Sequence, residues 1–427
     1  MVHARIFASF LLFTGFLSAQ KLPTDELNKE LPKWVKFSGE ERLRSEAYSG
    51  LSYQDNSDTY LVHRFRINLT LTPTSWLTIF AQGQDARAFF KTTKPYAPPF
   101  QNTWDLRQTY ATIGNLEKSR AAVRVGRQEL AFGEERLIGV SNWTNTSRSF
   151  DAARAMFRYH RFRVDAFASS VVVLTDGQVG SVTPGSNLHG LYGNIKDALP
   201  GLTIEPYVFW RLQPRVKSEL GAVGNSDMKI PGFRAAGKYR ALDYSTEMVL
   251  ERGSLAADDI SAWAGHWLVG YSLKAVNGLR VYQEYNYASG DGNAHDGTRR
   301  TFDQLYPSGH DKLGLNDQVG WRNIEHLRTG AEWKRKKLTV AARYNEYWLA
   351  DAHDSLYNSS GTAYVTKATG TAGRWVGHGP DLLGVYQFTK FAQAGAGFSH
   401  IFPGTFLQLA TPGHSYSQPY VFVTTQF

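Results

Sequence analysis

Leu61, His63, Phe65, Ile67, Leu69 and Leu71 fall on one parity of the chain, and Val62, Arg64, Arg66, Asn68, Thr70 and Thr72 on the other. Successive side chains of a β-strand point to opposite faces, so this stretch predicts a strand with one oily face and one that carries two arginines. The same alternation returns with Phe233, Ala235, Gly237 and Tyr239 against Arg234, Lys238 and Arg240, and with Leu338, Val340, Ala342 and Tyr344 against Thr339, Arg343 and Asn345. No helical period competes with it over a comparable length. A soluble sandwich alternates in the same way with its polar face in water, so alternation alone does not choose between a sandwich and a membrane barrel.

The connections choose. Short turns are predicted at Thr72–Ser75, Asn115–Ser119, Tyr159–Arg161, Asp197–Gly201, Arg240–Asp243, Ala275–Gly278, Lys334–Lys337 and Thr389–Lys390. Long loops are predicted at 49–58, 90–103, 133–149, 174–187, 213–231, 252–260, 289–323, 350–374 and 402–418. The two kinds take turns along the chain, and together they join 18 strands, with 16 as the alternative count. An even number of strands with short turns on one side and long loops on the other predicts an all-β fold, a transmembrane antiparallel up-and-down β-barrel with short periplasmic turns and long extracellular loops.

The two ends of the chain fit this reading. Met1 to Ala19 has His3 and Arg5 before an apolar stretch from Ile6 to Leu17 and small residues at Ser18 and Ala19, the pattern of a secretory signal peptide. Residues 1–19 are therefore expected to be a leader and 20–427 a single outer-membrane barrel domain. The last strand alternates through Pro419, Val421, Val423 and Thr425 to a terminal Phe427. An aromatic ending of this kind resembles the signal read by the barrel assembly machinery. Trp34, Trp76, Trp104, Trp333 and Trp348 lie near strand ends, where interfacial girdles of a barrel stand. Outer-membrane lipids and lipopolysaccharide are then the expected surroundings, in the cell outer membrane of a Gram-negative-type bacterium.

Charge bears on the inside of the barrel. The chain carries 47 Lys+Arg against 38 Asp+Glu and contains no Cys, which excludes disulfides and thiolate metal sites. No lysine-rich block or basic helix is present, so the positive charge is dispersed and no nucleic-acid partner is expected. Assigning the oily parity to lipid sends Lys36, Glu40, Arg42, Arg44, Arg64, Arg66, Arg124, Arg154, Arg163, Asp165, Arg211, Arg234, Lys238, Arg328 and Arg343 inward. Arginine keeps its charge and can take a carboxylate through two parallel hydrogen bonds, so a ladder of arginines suits an anionic solute. The alternative for each arginine is an internal ion pair that braces the wall.

Other chemistry is thinly represented. Asp291, Asn293 and Asp296 cluster oxygen ligands in a long loop that could hold calcium, although the EF-hand spacing is missing. The histidines are scattered without a close ligand pair, so no other metal and no cofactor is expected. Asp303, His310 and Asp311 are the nearest candidates for a rim hydrolase, but nothing marks a nucleophile. The chain reads as a non-enzyme.

Two segments carry a family resemblance. Val125-Gly126-Arg127-Gln128-Glu129-Leu130-Ala131-Phe132-Gly133-Glu134-Glu135-Arg136-Leu137, followed by Trp143 and Arg148-Ser149-Phe150-Asp151, resembles the signature of the alginate-export family of outer-membrane porins. So does Tyr285-Asn286-Tyr287-Ala288-Ser289-Gly290-Asp291 with Thr301-Phe302-Asp303-Gln304-Leu305-Tyr306-Pro307. The resemblance implies a monomeric 18-strand barrel with an electropositive constriction that passes an anionic polysaccharide outward. It places Arg127, Arg136, Arg148 and Asp151 near that constriction, with Glu134 and Glu135 as acidic neighbours. The short turn at Thr389–Lys390 departs from the periplasmic gate of the family's alginate exporter. The expected function is a passive channel for an anionic polysaccharide or carboxylate-bearing saccharide. The alternatives are a porin importing small acidic solutes and an outer-membrane hydrolase. The oily Leu130, Phe132, Leu137 and Ile138 predict that the arginine-bearing loop between the fifth and sixth strands turns inward.

Overall fold

The computed structural model describes residues 22–92, 96–115, 117, 119–367 and 369–427. The expected leader, 1–19, lies outside them. A short helix, α1 (Pro23–Glu30), precedes the strands and is tied to the first of them by Asn28, whose side chain exchanges hydrogen bonds with the backbone of Phe37 at 2.7 and 2.8 Å.

Eighteen barrel strands follow. They are β1 (Val35–Ser49), β2 (Ser57–Thr74), β3 (Leu77–Phe89), β4 (Asn102–Ile113), β5 (Ala121–Gln128) and β6 (Phe150–Tyr159). Next come β7 (Phe162–Val173), β8 (Asn187–Leu199), β9 (Leu202–Lys217), β10 (Val223–Tyr239), β11 (Leu242–Leu255) and β12 (Asp258–Ser272). The set ends with β13 (Leu279–Ala288), β14 (Ile324–Arg335), β15 (Leu338–Trp348), β16 (Trp375–Gln387), β17 (Ala392–Pro403) and β18 (Tyr416–Gln426). Each pairs antiparallel with its neighbour in sequence, and β18 returns to β1, so the barrel closes on itself. Closure ends at the C-terminus, where Phe427 exchanges backbone hydrogen bonds with Gly39 and stacks on Phe65 at 5.7 Å.

The expected parity holds along most of the wall. Ile67 is 45% exposed on the outward face while Arg64 and Arg66 beside it are buried inside. The short-turn side carries exposed Trp34, Trp76, Tyr159 and Tyr239, an interfacial girdle. Its turns are tight enough to need special backbone: Gly278 has φ +86°, and a Cβ there would lie 2.0 Å from the Lys334 carbonyl oxygen.

Two expected long loops are strand instead. The segment 213–231 is mostly β9 and β10, joined by only 218–222, and 252–260 is a two-residue turn at 256–257 between β11 and β12. These strand ends rise above the apolar band, where no lipid imposes alternation, and a bulge between Gln213 and Val216 breaks the pattern at Pro214, which has no N–H for the ladder.

The lumen is not empty. Leu130, Phe132, Leu137 and Ile138 pack with inward Phe167, Tyr192 and Phe209, and Phe302, Leu313 and Trp321 join the same core. The loops 129–149 and 289–323 fold into the barrel because that is where their apolar residues can leave water.

Candidate functional site

The two infolded loops are bound to each other. Gly139 donates its N–H to the Tyr306 carbonyl at 2.9 Å, Tyr306 donates to Leu137 at 2.8 Å, and Ser308 donates to Glu135 at 2.9 Å. The guanidinium of Arg148 gathers three carbonyls, those of Gly139, Tyr306 and Pro307, at 3.0, 2.6 and 2.9 Å. Phe132 anchors the first loop to the wall by stacking on Tyr192 at 4.7 Å and Phe167 at 5.3 Å. The residue after it, Gly133, holds φ +57° with the Arg234 and Tyr192 side chains 3.1 Å from where a Cβ would stand.

Four arginines of β1 and β2 clamp the same loop from the other side. Arg42 donates to the carbonyls of Asn142, Trp143 and Thr144 at 2.7, 3.0 and 3.1 Å. Arg44 donates to the Trp143 carbonyl at 2.6 Å and lies 3.7 Å over its indole ring. The other face of that ring stacks on His310 at 3.8 Å. Arg64 reaches the Asn142 carbonyl at 2.9 Å and pairs with Glu40 at 2.6 Å, while Arg66 donates to Ser147 at 2.7 Å. These arginines point inward as expected, yet their donors are spent on the loop and on side chains of the neighbouring wall.

Most of the remaining inward arginines are paired. Arg136 meets Glu284 at 3.0 Å and Glu134 at 3.3 Å. Arg234 meets Glu205 at 2.5 Å and Glu134 at 2.8 Å, and Arg211 meets Asp303 at 2.9 Å. Burial would raise the Glu134 carboxyl, but Arg136, His266 and Arg234 outweigh it and hold it at about 2. Arg343 pairs with Asp311, and Arg154 pairs with Asp165 at 2.7 Å. Arg124 donates to Thr112 at 2.9 Å and lies 4.2 Å over the Tyr110 ring.

The placement of Arg127 and Asp151 corrects the sequence expectation. On β5 the buried, inward positions are Ala122 and Gln128, whereas Val123 and Val125 are exposed to the outside. Arg127 shares the parity of the valines. It registers with Asp151, forms a two-pronged pair with it at 2.8 and 3.0 Å, and donates to the Gly180 carbonyl at 2.8 Å. The pair therefore sits on the outer face of the wall beneath the 174–186 loop. Arg136, Arg148, Glu134 and Glu135 do share the lumen.

The calcium candidates do not converge. Asp291 accepts the N–H groups of Asn293 and Arg300 at 3.0 and 2.8 Å, and Asp296 pairs with the Arg300 guanidinium at 2.8 Å. Among the described residues no group of three or more His, Asp and Glu side chains is arranged to hold a metal. Asp303, His310 and Asp311 are engaged separately, by Arg211, by Asp317 and by Arg343.

Among the described residues two sizeable cavities stand out in the lumen. One, of about 390 Å3, lies between the loops and is lined by Glu134, Glu135, Asn142, Trp143, His310 and Lys312. The other, of about 400 Å3, opens toward the short-turn side under Phe132. Arg154, Arg158, Arg161, Arg163 and Lys196 line it, against Asp165 and Glu205. Gly133 borders both. Among the described residues Arg158, Lys196 and Lys312 form no ion pair. The inward alternation of β6 and β8 could have flagged Arg158 and Lys196, whereas Lys312 stands in a loop without periodicity. Arg107 was missed for another reason: bulges in the β3–β4 ladder shift the parity, which lets it point inward to Gln82 at 2.6 Å and Glu129 at 2.5 Å.

Comparison with known proteins supplies the setting. A family model described as alginate export matches residues 33–421. No curated protein sequence matches the chain. Solved structures share the fold at low identity. Pseudomonas aeruginosa OccK5 (OpdH) is similar with a TM-score of 0.61 and 12% identity over 92% of this chain and 98% of that one. Acinetobacter baumannii OccAB2 gives 0.62 and 10% over the same shares, and Pseudomonas aeruginosa OpdK with vanillate gives 0.61 and 10% over 92% and 98%.

Proposed function

Given that the chain belongs to the alginate-export family and is an outer-membrane β-barrel channel, we propose that it passively conducts carboxylate-bearing saccharides, drawn in through the cation-rich cavity on its periplasmic side. The observation that carries this reading is the imbalance of that cavity, five cations against two carboxylates, with Arg158, Arg161 and Lys196 in no ion pair among the described residues. A unit charge pair at ~4 Å is worth about 4 kcal/mol at an effective dielectric of 20 and about 1 in water. Such contacts attract an anion without trapping it, as conduction requires. Lys312, in the cavity between the loops, offers the next cation along the path.

A single chain closes the barrel, so no second copy is needed to complete a pore. A second reading, passage of small acidic solutes, is favoured by the infolded loops, which are hydrogen-bonded to each other and bring Gly133 to the border of both cavities. Planar-bilayer recording with oligouronates of increasing length separates the two. Block of the current that strengthens with chain length supports the saccharide; block by monouronates alone supports the small solute; no block by either removes the proposal.

A further inference from the structure

The outward face of the wall between β5 and β10 carries a groove of about 630 Å3 for which conduction has no use. Its floor is low because Ala153 and Ala155 register with Ala168 and Ala166. Val123, Leu191, Val208 and Trp210 stand around it. A trough of this kind on a lipid-facing wall has the shape of a hydrocarbon chain.

Its outer end is polar in a particular way. Reading across the strands, His189 registers with Trp210, Trp210 with Lys229, and Lys229 with Arg252. Two like charges directly opposite each other destabilise a strand pair, so Lys229 and Arg252 call for an anion. Among the described residues neither forms an ion pair; Lys229 is exposed, and Arg252 donates only to the carbonyls of Glu251 and Ala262, at 2.7 and 3.0 Å. Asp227, which faces the same side, is occupied by the Trp210 indole N–H at 2.8 Å.

Their height fits a headgroup. On β10, β8 and β11, Lys229, His189 and Arg252 each stand ten residues from an exposed apolar residue at the periplasmic end, Tyr239, Leu199 and Leu242. Ten residues at a rise of ~3.3 Å and a tilt of about 40° span roughly 25 Å along the membrane normal, the height of the apolar band. The basic row therefore lies at the external boundary of the membrane, and the groove runs beneath it in the outer leaflet.

We propose that this face binds one molecule of lipopolysaccharide, with an acyl chain in the alanine-floored groove and a lipid phosphate between Lys229 and Arg252, edged by His189. The external position commits the site to the outer-leaflet glycolipid and not to a phospholipid. The site is independent of the solute path.

The test is native mass spectrometry of the chain extracted from outer membranes in mild detergent. The wild type retains one lipopolysaccharide. Replacing Lys229→Gln together with Arg252→Gln lowers the retained fraction by about thirtyfold. Ala166→Trp, which fills the groove and leaves the charges intact, displaces the lipid as well. Both variants keep heat-modifiable mobility and wild-type anion selectivity. Retention unchanged in the two folded variants, or a retained phospholipid in place of the glycolipid, overturns the proposal.

Discussion

Replacing Arg42 by Ala distinguishes a clamp from a pore lining. Arg42 is buried and donates to three successive carbonyls of the infolded loop, at 2.7, 3.0 and 3.1 Å. A hydrogen bond from a charged donor contributes about 1.5–3 kcal/mol. The three do not simply add, because the Asn142 carbonyl keeps Arg64, the Trp143 carbonyl keeps Arg44, and the Thr144 carbonyl keeps a longer contact with Arg64 at 3.2 Å. The expected loss is therefore that of one or two charged bonds, about 2–4 kcal/mol. It falls on the packing of the 141–147 segment and leaves the barrel ladder intact. Single-channel recording should then show added current fluctuation and a higher mean conductance, with little change in reversal potential. Arg42→Lys should not restore quiet current, because an ammonium cannot hold three carbonyls in a planar fan. A quiet Arg42→Ala channel with a large shift toward cation selectivity would refute the reasoning and make Arg42 a solute contact.

Other consequences are checked as readily. Ile67→Arg, on the lipid face, should cost about 2–4 kcal/mol of barrel stability if the residue stands near the membrane midplane, read by denaturant titration in lipid vesicles. Arg127→Ala should leave anion selectivity at the wild-type value in bilayer recordings, since its pair with Asp151 is on the outer wall. Burial, with Asp291 and Asp258 beside it, pushes the Glu219 carboxyl in the external 218–222 connection up to about 7. The folded loop thus holds a proton that an ordinary carboxyl at 4.5 has released, so its stabilisation is complete below about pH 4.5 and lost as pH rises through 7. Hydrogen exchange at 218–222 should quicken over that interval, and Glu219→Gln should flatten the dependence.

The wall was legible in the sequence because lipid forces strict alternation on it, and the order of turns and loops then counts the strands. Legibility stopped where that force stops. β9 and β10 continue above the membrane with no apolar parity, so 213–231 read as loop. Arg127 was drawn inward by a motif although its own neighbours, Val123 and Val125, mark that parity as outward. The lumen arginines were correctly placed inside, but their roles depend on partners that no local pattern reveals. Arg42 meets carbonyls about a hundred positions away, and Arg136 meets Glu284 across 148. Charge alone could not tell a spent guanidinium from a free one. Among the described residues the cavity-lining cations without an ion pair include Arg158, Lys196 and Lys312.

The central claim is that the periplasmic-side cavity attracts the anion, and reversal potential under a salt gradient measures it most directly. The double variant Arg158→Glu with Lys196→Glu, folded by heat-modifiable mobility, should lose anion preference and resist block by oligouronates. A folded double variant with the selectivity and block of the wild type would contradict the account.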